Sequence, residues 1–422
     1  MQFGPDGREL YYLEGGRIQV VGLESRQVRT VAVSAELDVA FTEDRQVVFR
    51  QAWKLLRDFF YDEQYHGANW VGLEARFAPY VAGAATPEEL RRILSLMIGE
   101  LDASHLGISG PGFPPAQTGR LGLRLEPGPL EQRGRFQIAE VFPHGPAALA
   151  GGFQPGDLLL ELEGQPLGSG TNLDALLQHR IGRRTEVTVG SGPDGAGRRT
   201  VVVRPISPAA ERELLYRQWV DQRREAVRLA SGGRLGYVHM PDMGQPSLQR
   251  LFLDLDALNQ ACEGVVVDLR HNQGGFVNAY ALDVFTRRPY IAFRERGFPP
   301  SPARTALGQR ALELPTVLLT NQHSLSDAED FTEGYRTLKL GKVVGEPTAG
   351  WIIYTSNLTL LDGSSLRVPF IEVRGADGKV MERNPRPVDL LVRRPVGESY
   401  SGADRQLEQA VRTLVGQLPR RE

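Results

Sequence analysis

Ser326 and Asp327 lie in Asn321-Gln-His-Ser-Leu-Ser326-Asp-Ala-Glu-Asp330, directly behind the apolar run Leu314-Pro-Thr-Val-Leu-Leu-Thr320. The run reads as a buried strand, Asn321 opens a turn, and helical spacing begins at Ala328. A serine at a strand–turn–helix junction can project its hydroxyl into a cleft, and the N–H groups at the helix N-terminus behind it can stabilise an oxyanion. That is the geometry of an acyl-transfer nucleophile. Ser and Asp are also ordinary helix N-caps, so this segment by itself leaves both readings open. Three other segments supply what acyl transfer needs. His105, in Gly99-Glu-Leu-Asp-Ala-Ser104-His105, stands at the end of a helical segment where it can act as a general base. The pair Gly274-Gly275 follows a strand, where open backbone can aim N–H groups at an oxyanion. Glu382, in Val380-Met-Glu-Arg-Asn-Pro-Arg-Pro-Val-Asp389, occupies a late turn able to reach such a cleft, with Arg383 as a competing partner for its carboxylate. Asp242 and Asp268 read as structural turn residues, and His271 and His323 as flanks of the cleft.

The elements that must position these groups fall into blocks, and the fold expected is multidomain α+β. Residues 1–38 carry short strands with turns at Pro5-Asp6-Gly7, Gly15-Gly16 and Leu23-Glu24-Ser25, a pattern that resembles one partial β-propeller blade. One blade cannot close a ring or bury both faces. A chain cut from a longer protein is therefore favoured over strands that pack on the next block. Residues 39–110 read as a helical bundle domain carrying Ser104 and His105. Val47, Phe49, Trp53, Leu56, Phe59 and Phe60 have helical spacing. Thr86-Pro-Glu-Glu89 opens a second helix bearing Leu90, Ile93, Leu94, Leu96, Met97 and Leu101, which ends at Asp102–His105. Trp70 and Tyr80 read as core. Residues 111–118 are a Pro/Gly linker. Residues 119–206 form a compact β-rich unit with a helix over 173–180, and a polar helix over 207–231 leads on from it. Residues 207–422, which include that polar helix, read as an αβ domain carrying Ser326. Strands 235–240, 264–269, 315–320 and 342–344 alternate with a helix over 245–262, which implies a mostly parallel sheet. Sites in such sheets lie at strand C-terminal ends, where both Ser326 and the Asp268–Gly275 segment fall.

Composition narrows the function. The chain has 422 residues, enough for about two to four domains, with 41% hydrophobic and 24% charged residues and a formal net charge of -2. That balance argues against a nucleic-acid surface; Arg183-Arg184, Arg198-Arg199 and Arg223-Arg224 are short clusters. The lone cysteine, Cys262, rules out an intrachain disulfide framework and cysteine-rich metal sites. The seven histidines are scattered without metal-ligand spacing, so no metal is expected. The N-terminus lacks the pattern of a signal peptide, and no stretch approaches the roughly 18 apolar residues of a membrane span. A cytoplasmic protein without membrane partner is expected.

The segments GELDASH, VHMPDMG, VVVDLRHNQGG, NQHSLSDAE, KVVGEPTAG and ERNPRPVD resemble, in that order, the motifs of the tail-specific (C-terminal processing) serine peptidase family, and most closely those of its tricorn branch. The likeness covers about residues 40–415. It implies a helical domain, an inserted PDZ domain over 119–206 and a ClpP/crotonase-like αβ sandwich. It also implies residue roles: Ser326 the nucleophile, His105 its base, Ser104 and Glu382 the rest of a tetrad, and Gly274 (or Gly275, if the alignment slips by one) with the Asp327 N–H as oxyanion donors. The family's offset from Asn321 selects Ser326 over Ser324. Within the PDZ-like unit the loop Arg120-Leu121-Gly122-Leu123 matches the one that offers N–H groups to a peptide carboxylate. Tail-specific members use a lysine base in a segment matching Gly345-Glu-Pro347-Thr-Ala-Gly350. Here Pro347 holds the lysine's place, so the base is left to His105. Lys339 and Lys342 are offset from the motif and read as surface residues.

The activity implied is hydrolysis of peptide bonds in unfolded polypeptides or oligopeptides, with no cofactor and with a ring-shaped homo-oligomer as the family's assembly. The alternatives are a catalytically inactive peptide- or ligand-binding scaffold of the same fold, and a PDZ adaptor for protein C-termini. The joint presence of Ser104, His105, Ser326 and Glu382 favours the enzyme.

Overall fold

Turns at Asp6-Gly7 and Gly15-Gly16, with all three glycines at positive φ, join β1 (Gln2–Phe3), β2 (Glu9–Glu14), β3 (Arg17–Gly22) and β4 (Val28–Thr30) into an antiparallel meander of that order. The structure is a computed structural model that describes residues 1–33, 40–111, 117–192, 196–258, 261–288, 291–302 and 312–419.

Helices α1 (Phe41–Phe59), α2 (Trp70–Gly83) and α3 (Pro87–Gly99) follow. The start of α3 is fixed by its side chains. Thr86 Oγ1 accepts from Glu89 N at 3.2 Å and the Glu89 carboxylate accepts from Ala85 N at 2.7 Å, with Pro87 at the first helical position. Phe49, Trp53, Leu56, Trp70, Leu90, Leu94, Met97 and Leu101 form the core between the helices. Val47, Phe59, Tyr80 and Leu96, expected inside, are exposed, because each lies off the buried stripe of its helix. Helix α3 also stops earlier than expected. Asp102 and His105 take positive φ of 43° and 59°, so Asp102–His105 is a turn beyond the helix, leading into β5 (Gly107–Ser109).

The next sheet holds β6 (Leu123–Leu125), β7 (Phe136–Val141), β8 (Leu158–Leu162), β9 (Gln165–Pro166), β10 (Thr185–Ser191) and β11 (Ala196–Val203) in the order β11-β10-β8-β7-β6, with β9 paired to β8. Short helices α4 (Pro127–Arg133), α5 (Pro146–Ala150) and α6 (Leu173–Leu176) lie in its connections. The helix expected over 173–180 is therefore only α6. His179 has positive φ, and its N–H donates to Gln117 O at 2.9 Å instead of continuing the helical ladder.

After α7 (Pro208–Ala230) come β12 (Leu235–His239), α8 (Gln245–Leu253), β13 (Gly264–Asp268), α9 (Asn278–Thr286) and the small pair β14 (Ala292–Phe293) and β15 (Ser301–Pro302). Then follow β16 (Thr316–Thr320), α10 (Asp327–Thr337), β17 (Gly341–Gly345), β18 (Ile353–Thr359), β19 (Ser365–Glu372), β20 (Leu390–Leu391) and α11 (Arg405–Val415). The helix expected over 245–262 ends as α8 and passes into one wider π turn, Asp254–Leu258. Strands β12, β13, β16, β17 and β20 make an all-parallel sheet in the order β12-β13-β16-β17-β20. Both of its faces are covered. Val265, Val267, Leu318 and Val343 pack toward α8–α10, and Val266, Val317, Leu319 and Val344 toward α7 and α11. Burial on both faces is why these strands are continuous Val/Leu runs.

One long-range pairing was not foreshadowed by local pattern. Strands β18, β19 and β5 form a sheet in that order, and Leu366 and Val368 of β19 join the core of the helices α1–α3. The segment after Ser326 thus returns to the element that carries Ser104 and His105.

Candidate active site

Ser326 sits where β16 gives way to α10, with φ 54° and ψ −123°. A non-glycine residue in that region of backbone space costs on the order of 1–3 kcal/mol and persists only where its surroundings hold it. Here the Ser326 N–H donates to Trp351 O at 3.0 Å and lies 3.3 Å from Glu329 Oε1. Glu329, fully buried in the first turn of α10, also accepts from Thr348 Oγ1 (2.6 Å), Gly350 N (2.7 Å) and Trp351 N (2.7 Å). It ties the 348–351 loop behind the serine. Its carboxyl is pushed above the ordinary range by burial, against the pull of these bonds. Ser324 is buried and spent: its Oγ donates to Leu269 O at 2.8 Å and accepts from Asn321 N at 3.1 Å, which latches the ends of β13 and β16 together.

His105 and Ser326 line one cleft of about 460 Å³. No hydrogen bond joins the two side chains among the described residues, and such contacts commonly tighten only when substrate binds. Behind His105, Ser104 Oγ lies 2.7 Å from Nδ1 and 3.0 Å from Glu382 Oε2. A carboxylate only accepts, so the single Ser104 hydroxyl proton goes to Glu382 and its oxygen must accept from Nδ1–H. That fixes the tautomer and leaves the Nε2 lone pair available. Glu382, buried, is itself held by Ser104 N (2.8 Å) and Ile352 N (2.9 Å). Arg383 does not compete for it; its guanidinium pairs with Asp102, which pins the His105 turn to the Glu382 loop. Burial, assisted by the Arg367 guanidinium, pushes the His105 pKa down to about 4, so the imidazole is neutral near pH 7.

The loop after β13 approaches Ser326 closely. A Cβ on Gly274 would lie 2.6 Å from Ser326 Cβ, and one on Gly275 would lie 2.1 Å from Met243 O. Met243 N donates to Gly274 O at 2.8 Å and Phe276 N to Met243 O at 2.9 Å, which clamps the loop. The Gly274 N–H is not available to an oxyanion, because it donates to Asn272 Oδ1 at 2.9 Å. The backbone N–H groups of Gly275 and Asp327 have no partner among the described residues. Of the two glycines named from sequence, the Gly274 N–H is spent within the loop and the Gly275 N–H is left over: a side-chain acceptor two residues back captures one glycine N–H and leaves the next. The Asp327 carboxylate accepts from Val277 N (2.7 Å) and Asn278 N (3.0 Å), which ties α10 to the start of α9.

Profiles of known families match three stretches of the chain: the tricorn protease C1 domain over 41–99, the PDZ domain over 137–189 and peptidase family S41 over 234–388. The chain belongs to the S41 serine peptidases, in their tricorn branch. It is 30% identical to tricorn protease homolog 1 of Streptomyces coelicolor, over 98% of this chain and 40% of that protein. It is 26% identical to the tricorn protease of Thermoplasma acidophilum, over 96% and 38%. The crystal structure of the tricorn protease superposes with a TM-score of 0.81 at 24% identity, over 99% of this chain and 41% of that one, so the fold is shared. The chain thus spans about two fifths of the length of these relatives.

The remaining sequence-derived candidates lie apart from the S41 cleft. His271 and His323 stack on each other at 5.1 Å, with His271 Nε2 near Asn321 Nδ2 at 3.1 Å, and neither lines the cleft. Lys339 and Lys342 are exposed and also lie outside it. Asp268 is buried against Arg270 (2.7 Å) and accepts from Tyr237 OH at 2.9 Å, a structural role. Among the described residues no group of three or more His, Cys, Asp or Glu can hold a metal ion.

Beside the stretch matched by the PDZ profile, Arg120, Leu121 and Leu123 line a groove of about 730 Å³ in which several charged groups are already paired within the chain. Arg120 pairs with Asp174 at 2.9 Å and lies 4.0 Å from the Glu211 carboxylate. Glu211, on α7, also takes the Gly122 N–H, and burial raises its pKa against these two attractions. A carboxylate of the chain itself occupies the place expected for a peptide's.

Sequence reading missed Glu329, Asn272 and Arg367. The spacing Ser326-x-x-Glu329 is a capping-box signature and would have found the first. Arg367 carries no local signal, because only the β5–β19 register brings it to the cleft.

Proposed function

We propose that this chain is a serine endopeptidase that cleaves unfolded polypeptides or oligopeptides, with Ser326 as nucleophile, His105 as general base, Ser104 and Glu382 as its support, and the Gly275 and Asp327 N–H groups as oxyanion donors. The observation that carries this reading is the hydrogen-bonded series Glu382–Ser104–His105, which leaves Nε2 unprotonated in the cleft of a strained serine. His105 Nε2 takes the Ser326 Oγ proton as Oγ attacks the peptide carbonyl carbon. The tetrahedral oxyanion is met by two backbone N–H groups that need no reorganisation, the arrangement in which each donor counts most. The imidazolium formed is stabilised by the Glu382 charge relayed through the Ser104 hydroxyl. His105 then returns the proton to the amine nitrogen, the C–N bond breaks, and an acyl-Ser326 ester remains. Water, deprotonated by His105, releases the carboxylic product and restores Ser326. No step calls for a metal or cofactor.

The β1–β4 meander is taken in the same reading as one β-propeller blade, and a ring of several copies as the assembly. The test of the function is hydrolysis of internally quenched peptides, with and without Ser326→Ala. Turnover by the native chain that vanishes in the variant supports the reading, and equal rates for the two overturn it. Binding of the same peptides without turnover would favour the scaffold alternative.

A further inference from the structure

Among the residues that line the cleft around Ser326, Arg367 carries the one full charge when His105 is neutral, and neither Asp nor Glu is among them to balance it. Its position is set by sheet register: Arg367 of β19 pairs with Gly107 of β5, two residues beyond His105. Its Nε donates to Thr355 Oγ1 at 3.0 Å, across the β18–β19 hairpin, which fixes the stem. Among the described residues the two terminal nitrogens have no hydrogen-bond partner and the guanidinium has no ion pair. Most other arginines in the neighbouring elements are paired: Arg374 with Glu372, Arg383 with Asp102, Arg386 with Glu333. Arg367 is exposed at the mouth of the cleft, so its terminal N–H groups are open to an arriving anion, and the partial desolvation of its charge is small beside that access. A planar fork with free terminal N–H groups suits a carboxylate, which it can bind with two parallel hydrogen bonds. The rest of the rim combines the aromatic rings of Phe276, Trp351 and Tyr354 with uncharged polar Gln273 and Thr355. Phe276 stacks with Tyr354 at 6.1 Å, and Trp351 is exposed.

We propose that Arg367 binds a carboxylate of the peptide substrate next to the scissile bond, and so makes this cleft select acidic peptides. The inference deepens the serine-peptidase reading and rests on it for the position of the scissile bond. Two sources supply the same chemistry: an Asp or Glu side chain flanking the scissile bond, or the α-carboxylate of a substrate cut close to its C-terminus.

Binding and turnover are measured separately. In the Ser326→Ala chain, fluorescence anisotropy reads the affinity of labelled peptides matched in pairs: Asp against Asn at each position of a C-terminally amidated peptide, and free acid against amide for a peptide with no acidic side chain. The same pairs are run on Ser326→Ala with Arg367→Gln and with Arg367→Lys, each checked for native circular dichroism. The expected result is a preference of about ten- to a hundredfold for the carboxylate member of one pair. That preference is lost in Arg367→Gln and partly kept in Arg367→Lys, while affinity for the uncharged members stays within about twofold. A preference confined to the Asp/Asn pairs identifies a side-chain carboxylate, and one confined to the acid/amide pair identifies the C-terminus. Equal binding within every pair, or a preference that survives in Arg367→Gln, overturns the proposal. Turnover of the same peptides by the chain with Ser326 intact separates the two claims: carboxylate-selective binding without turnover would remove the peptidase reading and leave the Arg367 site.

Discussion

The cleft at Ser326 and the groove at Arg120 are built from similar parts and end in opposite states. Each is a recess of mixed apolar and polar walls with arginine on its rim and a glycine-bearing loop. In the groove the arginine is paired to Asp174 and lies near Glu211, and the Gly122 N–H goes to the same Glu211 carboxylate. In the cleft, among the described residues, the solvent-exposed Arg367 has no counter-charge and the Gly275 and Asp327 N–H groups have no protein acceptor. Folding normally satisfies polar groups that it removes from water, because each one left unpaired costs about 1–3 kcal/mol. A recess that keeps such groups unspent is the one prepared for a ligand. A recess whose groups are spent on its own chain either serves as a joint or must be opened first.

That contrast can be broken in several ways, and the largest effect belongs to the cleft. Gly275→Ala drives a Cβ to 2.1 Å from the Met243 backbone oxygen and displaces the proposed oxyanion donor, so kcat on a quenched peptide should fall about 100- to 1,000-fold, and the thermal unfolding midpoint should fall as well because backbone must give way. A folded variant that keeps the native kcat would remove Gly275 from the oxyanion site. Glu382→Gln keeps the shape but removes the charge that supports the imidazolium, and should lower kcat about 100-fold or more with KM nearly unchanged. A KM effect alone would place Glu382 outside the proton relay.

In the groove the sign reverses. Glu211→Ala should raise the affinity for peptides with a free C-terminal carboxylate about tenfold, since one charge-assisted contact is released to the ligand, with amidated peptides unaffected in titration calorimetry. No gain would mark the groove as a fixed joint between β-sheet and α7. Smaller still is the pH response. Burial first, and Arg367 second, hold the His105 pKa near 4. The base is neutral above that pH, so kcat/KM should climb through about pH 4 and be flat toward pH 7. Arg367→Gln should move the acid limb upward by less than burial moves it down. An acid limb near the ordinary histidine pKa would show that His105 is better solvated than its surroundings imply. Asp330 carries the opposite shift. Burial raises its pKa to about 7, with its carboxylate accepting from Tyr354 OH at 2.9 Å. Because the folded pKa lies above the unfolded one, the native state holds this proton more tightly, and stability from this group falls as pH rises from the ordinary carboxylate range through about 7. Asp330→Asn should flatten that slope in urea titrations.

How much of this was legible in the sequence depended on distance along the chain. The parallel strands announced themselves, because burial on both faces leaves continuous runs such as Gly264-Val-Val-Val-Asp268. The Ser326 junction was visible for the same local reason. What escaped was set by tertiary pairing: the register of β19 on β5 that brings Arg367 beside His105, and the return of Leu366 and Val368 to the helical core. The choice between Gly274 and Gly275 turned on one amide side chain, Asn272, whose capture of a particular N–H is decided by loop geometry rather than by spacing. The carboxylate loop at Arg120–Leu123 resembled an open site because nothing local indicates that Glu211, some ninety residues on, would fill it.

The central claim is an activated Ser326 served by His105. Its most direct test is intact-mass and peptide-map analysis after treatment with a fluorophosphonate, for the native chain, Ser326→Ala and His105→Ala. The account predicts one covalent adduct, on Ser326, absent from Ser326→Ala and formed far more slowly in His105→Ala. A folded native chain that takes up no adduct between about pH 6 and 9, where His105 is neutral, or that labels equally fast without His105, would contradict it.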